Sequence, residues 1–121
     1  MQPFLAVARA LSDETRVRAL LALRGGELCL CQLIDVFGLA PSTVSRHMDE
    51  LHRAGLVRRR KAGRWAYFRL PGRDAPLVVR RAIAFATAAL AREAPAVADA
   101  DRLRSVRRKD LKEVSACYRG A

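Results

Sequence analysis

Residues 27–70 read ELCLCQLIDVFGLAPSTVSRHMDELHRAGLVRRRKAGRWAYFRL, and this run decides the fold. A helix over Gln32 to Phe37, a turn over Gly38 to Ala40 and a second helix opening at Pro41 have the spacing of a helix-turn-helix reader of DNA. Gly38 suits a helix C-cap, and Pro41 suits a first helical turn, where a missing N–H costs nothing. Val44, Met48 and Leu51 recur at i, i+4 and i+7 and predict the buried side of the second helix. Its outer side is then Ser42, Arg46, Asp49, Glu50 and Arg53, flanked by Thr43 and Ser45. Hydroxyls at the start of such a helix can bond phosphates or base edges, and Arg46 can grip guanine with two bonds. An ordinary amphipathic surface helix shares the same periodicity. His47 falls at the edge of the buried side, within reach of a phosphate. Neither it nor His52 has the His or carboxylate neighbours of a metal site.

Downstream of Gly55 the pattern changes from helix to hairpin. Arg58, Arg59, Arg60 and Lys61 lead to an Ala62-Gly63 tip, and Arg64 opens an aromatic return strand through Trp65, Tyr67 and Phe68. Six basic residues and no acid between 58 and 69 make this the strongest electrostatic feature of the chain, fit for a phosphate backbone or a minor groove. A charged edge strand that merely blocks aggregation is the plainer reading. Beside a helix-turn-helix, contact with double-stranded DNA is the better account.

Upstream, Glu27-Leu28-Cys29 forms a short extended piece that can pair with the hairpin as a third strand. Residues two apart diverge on a regular helix but share a face of an extended segment. Cys29 and Cys31 can therefore hold one ion together only if the segment between them is extended or caps the helix irregularly. At a helix N-terminus their thiols also ionise more readily. A lone C-x-C is a weak signal, since buried cysteines behave as small apolar residues.

The flanks read as helices. Residues 2–11 carry apolar side chains around most of the circumference, predicting burial on two sides, one of them against a partner chain, with a position wholly in the core as the alternative. Ser12 is the expected N-cap of the next helix, with Asp13 and Glu14 in its first turn, and Gly25-Gly26 ends it. Pro76 starts a long helix to about Glu93 with two apolar sides. Its segment AIAFATAALA is half a membrane span bracketed by arginines, and a buried helix explains it better. Pro95 is expected to break it, followed by a shorter helix from Val97 to about Val106 and a last turn around Leu111 to Tyr118 that carries Cys117.

Composition agrees with that reading. The 121 residues are half apolar and carry a formal charge of +11, so a folded body presents a basic surface that attracts polyanions. The expected class is mainly α (α+β), a winged helix-turn-helix with a two-stranded β wing. Residues 1–94 form the DNA-binding and dimerisation domain, and 95–121 form a basic helical extension. The N-terminus lacks the basic start of a signal peptide, so the expected location is cytoplasmic, with no membrane partner. In such a reducing compartment three cysteines speak for metal binding, redox chemistry or burial rather than a disulfide framework. No C-x-x-C, His-rich cluster or base beside a nucleophile points to an enzyme.

Over roughly residues 5–92 the chain resembles the ArsR/SmtB family of winged-helix metal- and metalloid-responsive repressors. LSDETRVRALLAL is similar to that family's second helix, and ELCLCQL to the ELCVCDL signature of its arsenic-responsive branch. STVSRHMDELHRAGLV with GRWAYFRL is similar to its recognition helix and wing. The resemblance implies a homodimer, dimerising through its N- and C-terminal helices, that represses at an inverted-repeat operator until As(III) or Sb(III) binds as inducer. Cys29 and Cys31 stand at the first two signature cysteines, and Ile34 stands where a third cysteine would be. The zinc site that some members carry on the long helix is not expected, because residues 76–93 contain no His. Trivalent arsenic forms three-coordinate pyramidal complexes with soft thiolates, so Cys117 is the candidate third ligand, from either protomer, with an external thiol as the alternative. A thiol-based redox regulator of the same fold is the competing function.

Overall fold

The computed structural model describes residues 1–109; Cys117 and the expected last turn over Leu111 to Tyr118 lie outside the described residues. Helices α1 (Gln2–Ala10), α2 (Glu14–Ala22), α3 (Leu30–Phe37), α4 (Pro41–Arg53), α5 (Leu77–Leu90) and α6 (Ala94–Arg108) surround a small sheet of β1 (Leu28–Cys29), β2 (Arg58–Ala62) and β3 (Trp65–Arg69). The sheet is antiparallel in the order β1-β3-β2, so the hairpin is not a free two-stranded ribbon. The short third strand ties it to the start of α3.

Local chemistry sets the element ends. Asp13, not Ser12, caps α2, its carboxylate accepting from the Arg16 N–H at 3.1 Å. Ser12 instead donates its hydroxyl to the Arg9 carbonyl at 2.7 Å and closes α1, so each polar side chain satisfies a different helix end. α3 begins at Leu30, two residues before the expected Gln32, and stops on Gly38 in the left-handed region (φ 64°). Gly63 also has positive φ (61°), and the pairing of Ala62 with Trp65 makes Gly63-Arg64 the two-residue tip. Arg64 is therefore a turn residue rather than the first of the return strand.

Val44, Met48 and Leu51 are buried as their spacing predicts, and they join Leu20, Leu23, Leu28, Leu33, Leu56 and Phe68 in the core. The last helix differs from expectation. Pro95 lies in the first turn of α6 rather than ending a helix before Val97, because a proline lacking its N–H fits there without loss. α6 crosses α2 and α3 and adds Leu103 and Val106 to the same core. Asp99, only 2% exposed, accepts two bonds from Arg18 at 2.7 and 2.8 Å. Those bonds raise the Arg18 pKa, and its guanidinium also lies 5.1 Å from the Phe37 ring centre.

The expected two-sided burial of α1 and of the 82–91 segment is not met within one chain. Only Val7 and Ala10 of α1 and Val79 and Ala86 of α5 are buried. Phe4 and Phe85 are 62% and 74% exposed along an apolar groove between the two helices. Each helix uses one side for its own core and leaves the other bare. No helix among the described residues is long and apolar enough to cross a membrane.

Candidate sulfur site and nucleic-acid interface

The alternatives that the cysteine spacing left open resolve at the α3 N-terminus. Cys29 is the N-cap residue in extended conformation (φ −71°, ψ 150°), and Cys31 is the second residue of the helix. That change of backbone between them turns both side chains to one side, and their Sγ atoms stand 2.9 Å apart, both thiols free. The Gln32 side chain closes the cap by accepting the Cys29 N–H at 2.8 Å.

The two thiols split in acidity. The Cys31 hydrogen bond lowers the Cys29 thiol from 9.0 to about 7; burial opposes this, while backbone N–H groups of the first helical turn assist it. Cys31 is pushed the other way, first by holding that shared proton and then by burial and the neighbouring charge. The pair thus gives up one proton readily and retains the second.

Both sulfurs are buried, with Trp65 and Tyr67 of β3 packed against them. Register explains this lid: Cys29 pairs directly with Tyr67, and Tyr67 pairs on its other side with Arg60. Arg60 is fixed over that layer, 4.3 Å from the Tyr67 ring centre and bonded twice to Glu27, at 2.6 and 2.9 Å. The Arg60 bond holds the Glu27 carboxyl below its ordinary range. Sequence reading missed Trp65 and Tyr67 as the lid of this site and Glu27 as the partner of Arg60 above it. The period-two pattern of β3 could have found the aromatic pair once β1 was set against it. Among the described residues no third Cys, His, Asp or Glu joins the two sulfurs, and Ile34, where a third cysteine would be, is buried in the core.

The candidate DNA face lies on α4 and the wing. Ser42 and Arg46 are exposed, with Thr43 and Ser45 half-buried beside them. His47 is turned inward toward α2, its Nδ1 3.3 Å from Arg16 Nη1 and 3.9 Å from Asp13 Oδ1. On the wing, Arg58 pairs with Asp74 and Arg59 with Asp49, each at 3.1 Å. Arg60 is committed to Glu27. Lys61 and Arg64 are exposed at the tip, and the Arg64 guanidinium lies 5.5 Å from the Trp65 ring centre.

A helix pair joined by a tight turn, the second helix bare on its outer side and backed by a basic three-stranded wing, defines the winged helix-turn-helix class. Residues 13–59 match the family model described as the bacterial regulatory protein, arsR family. The chain is 43% identical over 65 residues to the arsenic resistance transcriptional regulator ArsR1 of Pseudomonas putida, covering 53% of this chain and 51% of that one. It is 40% identical over 63 residues to the arsenical resistance operon repressor of Escherichia coli, covering 51% and 54%. An uncharacterised HTH-type transcriptional regulator of Methanocaldococcus jannaschii is 35% identical over 63 residues, 51% of this chain and 71% of its own. Among solved structures, HlyU from Vibrio cholerae superposes with a TM-score of 0.64 at 24% identity, over 75% of this chain and 95% of that one. The chain belongs to the ArsR family of bacterial regulatory proteins, with transcriptional regulators rather than enzymes. It spans about half the length of the two arsenic-resistance relatives it matches.

Proposed function

We propose that the chain is a cytoplasmic, homodimeric repressor that releases an inverted-repeat DNA operator when Cys29, Cys31 and Cys117 bind trivalent arsenic or antimony. The observation that carries this reading is the buried pair of sulfurs 2.9 Å apart, one of them acidified, at the head of the helix that leads into α4. The names of the relatives from Pseudomonas putida and Escherichia coli support the same ligand and role. Each thiol passes its proton to a departing hydroxide of arsenous acid, so three thiols release three waters. The exchange needs no oxidant.

The third sulfur is within chain reach of the same protomer. Lys109 is bonded to Asp35 of α3 at 3.1 Å, and Cys117 follows eight residues later. Such a length spans up to about 26–29 Å when extended. An external thiol in place of Cys117 remains the competing completion of the site. The bare sides of α1 and α5 supply the dimer contact, burying Phe4 and Phe85. α4 then enters the major groove with Ser42, Thr43, Ser45 and Arg46, while His47, expected at a phosphate, stays turned toward Arg16 and Asp13 and braces the helix against α2. Arg58, Arg59, Lys61 and Arg64 follow the flanking backbone, while Arg60 stays on Glu27 and Tyr67 and holds the strand in place. Sharing an ion draws Cys29 and Cys31 out of their present contact, distorts the start of α3 and so shifts α4.

The test is arsenite titration of a DNA duplex selected by the wild-type chain from a random pool. Wild type should lose DNA affinity by a factor on the order of 5–150, the usual range of allosteric coupling. Cys29→Ser should not respond, and an unchanged response in Cys117→Ser removes Cys117 from the site. Equal arsenite affinity for free and DNA-bound protein defeats the switch itself, since coupling is reciprocal. The same sulfur contact favours a second reading, redox sensing, in which peroxide takes two thiols to a disulfide and two waters. DNA release by peroxide without release by arsenite selects that reading.

A further inference from the structure

We infer that the Glu27–Arg60 ion pair, stacked on Tyr67, is the positioning element that carries occupancy of the sulfur pair to the wing. The inference rests on the arsenite-responsive reading above and supplies it with a second route, distinct from the one through α3 into α4. Cys29, Tyr67 and Arg60 are direct cross-strand neighbours and share one face of the three-stranded sheet. Residues directly opposite one another have Cβ atoms roughly 4.5–5.5 Å apart, so a displaced side chain presses on the next one.

The layer has one soft boundary. Both cysteines are buried, and Leu28 and Leu33 on the same stretch are fully buried in the core. The hydrophobic side chains packed on them among the described residues are Trp65 and Tyr67, both half-buried. Two sulfurs in contact at 2.9 Å leave no space between them, so a site that admits an ion must open outward against Tyr67. The Arg60 guanidinium rests on the outer side of that ring, while its two bonds run to Glu27, two residues before Cys29. Displacing the ring therefore lifts Arg60 from its platform, and moving Cys29 carries away the Glu27 backbone that anchors it. Both ends of the clamp fail together. β2 then loses its tie to β1, and the wing cations leave their register.

Glu27 belongs neither to the sulfur pair nor to the cationic DNA surface, so Glu27→Gln isolates the clamp. The experiment measures DNA affinity with and without saturating arsenite, and separately follows arsenite binding by the sulfur-to-arsenic absorbance. Removing one acid tightens non-specific DNA binding in both states, so the readout is the ratio of the two affinities. Wild type should change by a factor on the order of 10–100. Glu27→Gln should change by no more than about threefold, with arsenite absorbance and thermal midpoint retained, and Tyr67→Leu should reduce the ratio likewise. A Glu27→Gln ratio equal to wild type overturns the clamp. So does loss of arsenite absorbance in that variant, which would make Glu27 part of the site rather than its transmission. A wild-type chain without any arsenite response is a different outcome, and it strikes the proposed function instead.

Discussion

The recognition helix and the wing both offer cations to DNA, but they hold them in different ways. Arg46 on α4 is exposed and has no acidic partner among the described residues, whereas Arg58, Arg59 and Arg60 are each paired with an acid from a different part of the chain. Asp74 precedes α5, Asp49 lies on α4 and Glu27 precedes β1. The wing is thus laced to its surroundings by its own cations. The contrast teaches that charge count alone does not rank DNA contacts. A free cation loses only water on meeting a phosphate, while a paired one must exchange partners, and in doing so it loosens what it had been holding.

The largest expected effect lies on the helix side. Arg46→Ala should weaken binding to a selected duplex by about 1–3 kcal/mol and relax the base preference at one position of each half-site, as loss of a bidentate base contact does. Its thermal midpoint should stay at the wild-type value, because Arg46 is exposed and has no ion pair among the described residues. A stability loss, or equal weakening on all sequences, would place Arg46 with the wing cations and erase the contrast.

That helix side was also the part most legible in sequence. Val44, Met48 and Leu51 announced the buried side by spacing alone, and Gly38 announced the turn. Surface side chains that act singly are readable one at a time. The sulfur site was readable only in its logic: an extended cap was required for Cys29 and Cys31 to meet, and the backbone supplies it. Its lid was hidden because Tyr67 meets Cys29 through strand register between segments some forty residues apart, which no local pattern encodes. For a similar reason Asp99 gave no sign of its bond to Arg18. For α1 and α5 an apolar circumference predicts two buried sides but does not say which of them the chain's own core takes.

A smaller effect separates the wing from the helix by pH. The Cys29 thiol under the wing is lowered to about 7 from 9.0, so between those values the unfolded chain binds more protons and folding stability rises with pH. Cys31 is shifted upward, so above 9.0 the folded pair keeps a proton that the unfolded chain releases, and stability falls again. The pair therefore contributes a maximum near 9 and a gain on the order of 1–2 kcal/mol on the way up from 7. Chemical denaturation across this range should show the rise in wild type and in Arg46→Ala. It should be absent from the Cys29→Ser/Cys31→Ser variant, and its persistence there would assign the titration to another group.

The smallest effect is expected at the wing tip, and it tests the contrast most directly. Lys61 sits beside the paired arginines but has no ion pair to any described residue, so on the wing it behaves as Arg46 does on the helix. It carries a point charge without a bidentate fork, and on an exposed strand it faces phosphate rather than base edges. Lys61→Ala should therefore weaken selected and random duplexes alike, by less than about 1 kcal/mol per protomer near physiological salt, and reduce the slope of log affinity against log salt by about 0.9 for each bound protomer. Arg59→Ala on the same strand would remove the proposed phosphate contact and also free Asp49, leaving an unpaired acid on α4. The repulsion adds to the loss, so Arg59→Ala should cost more affinity than Lys61→Ala. Equal losses from the two would mean that the acid partners are bystanders, and that the wing holds its cations no differently from the helix.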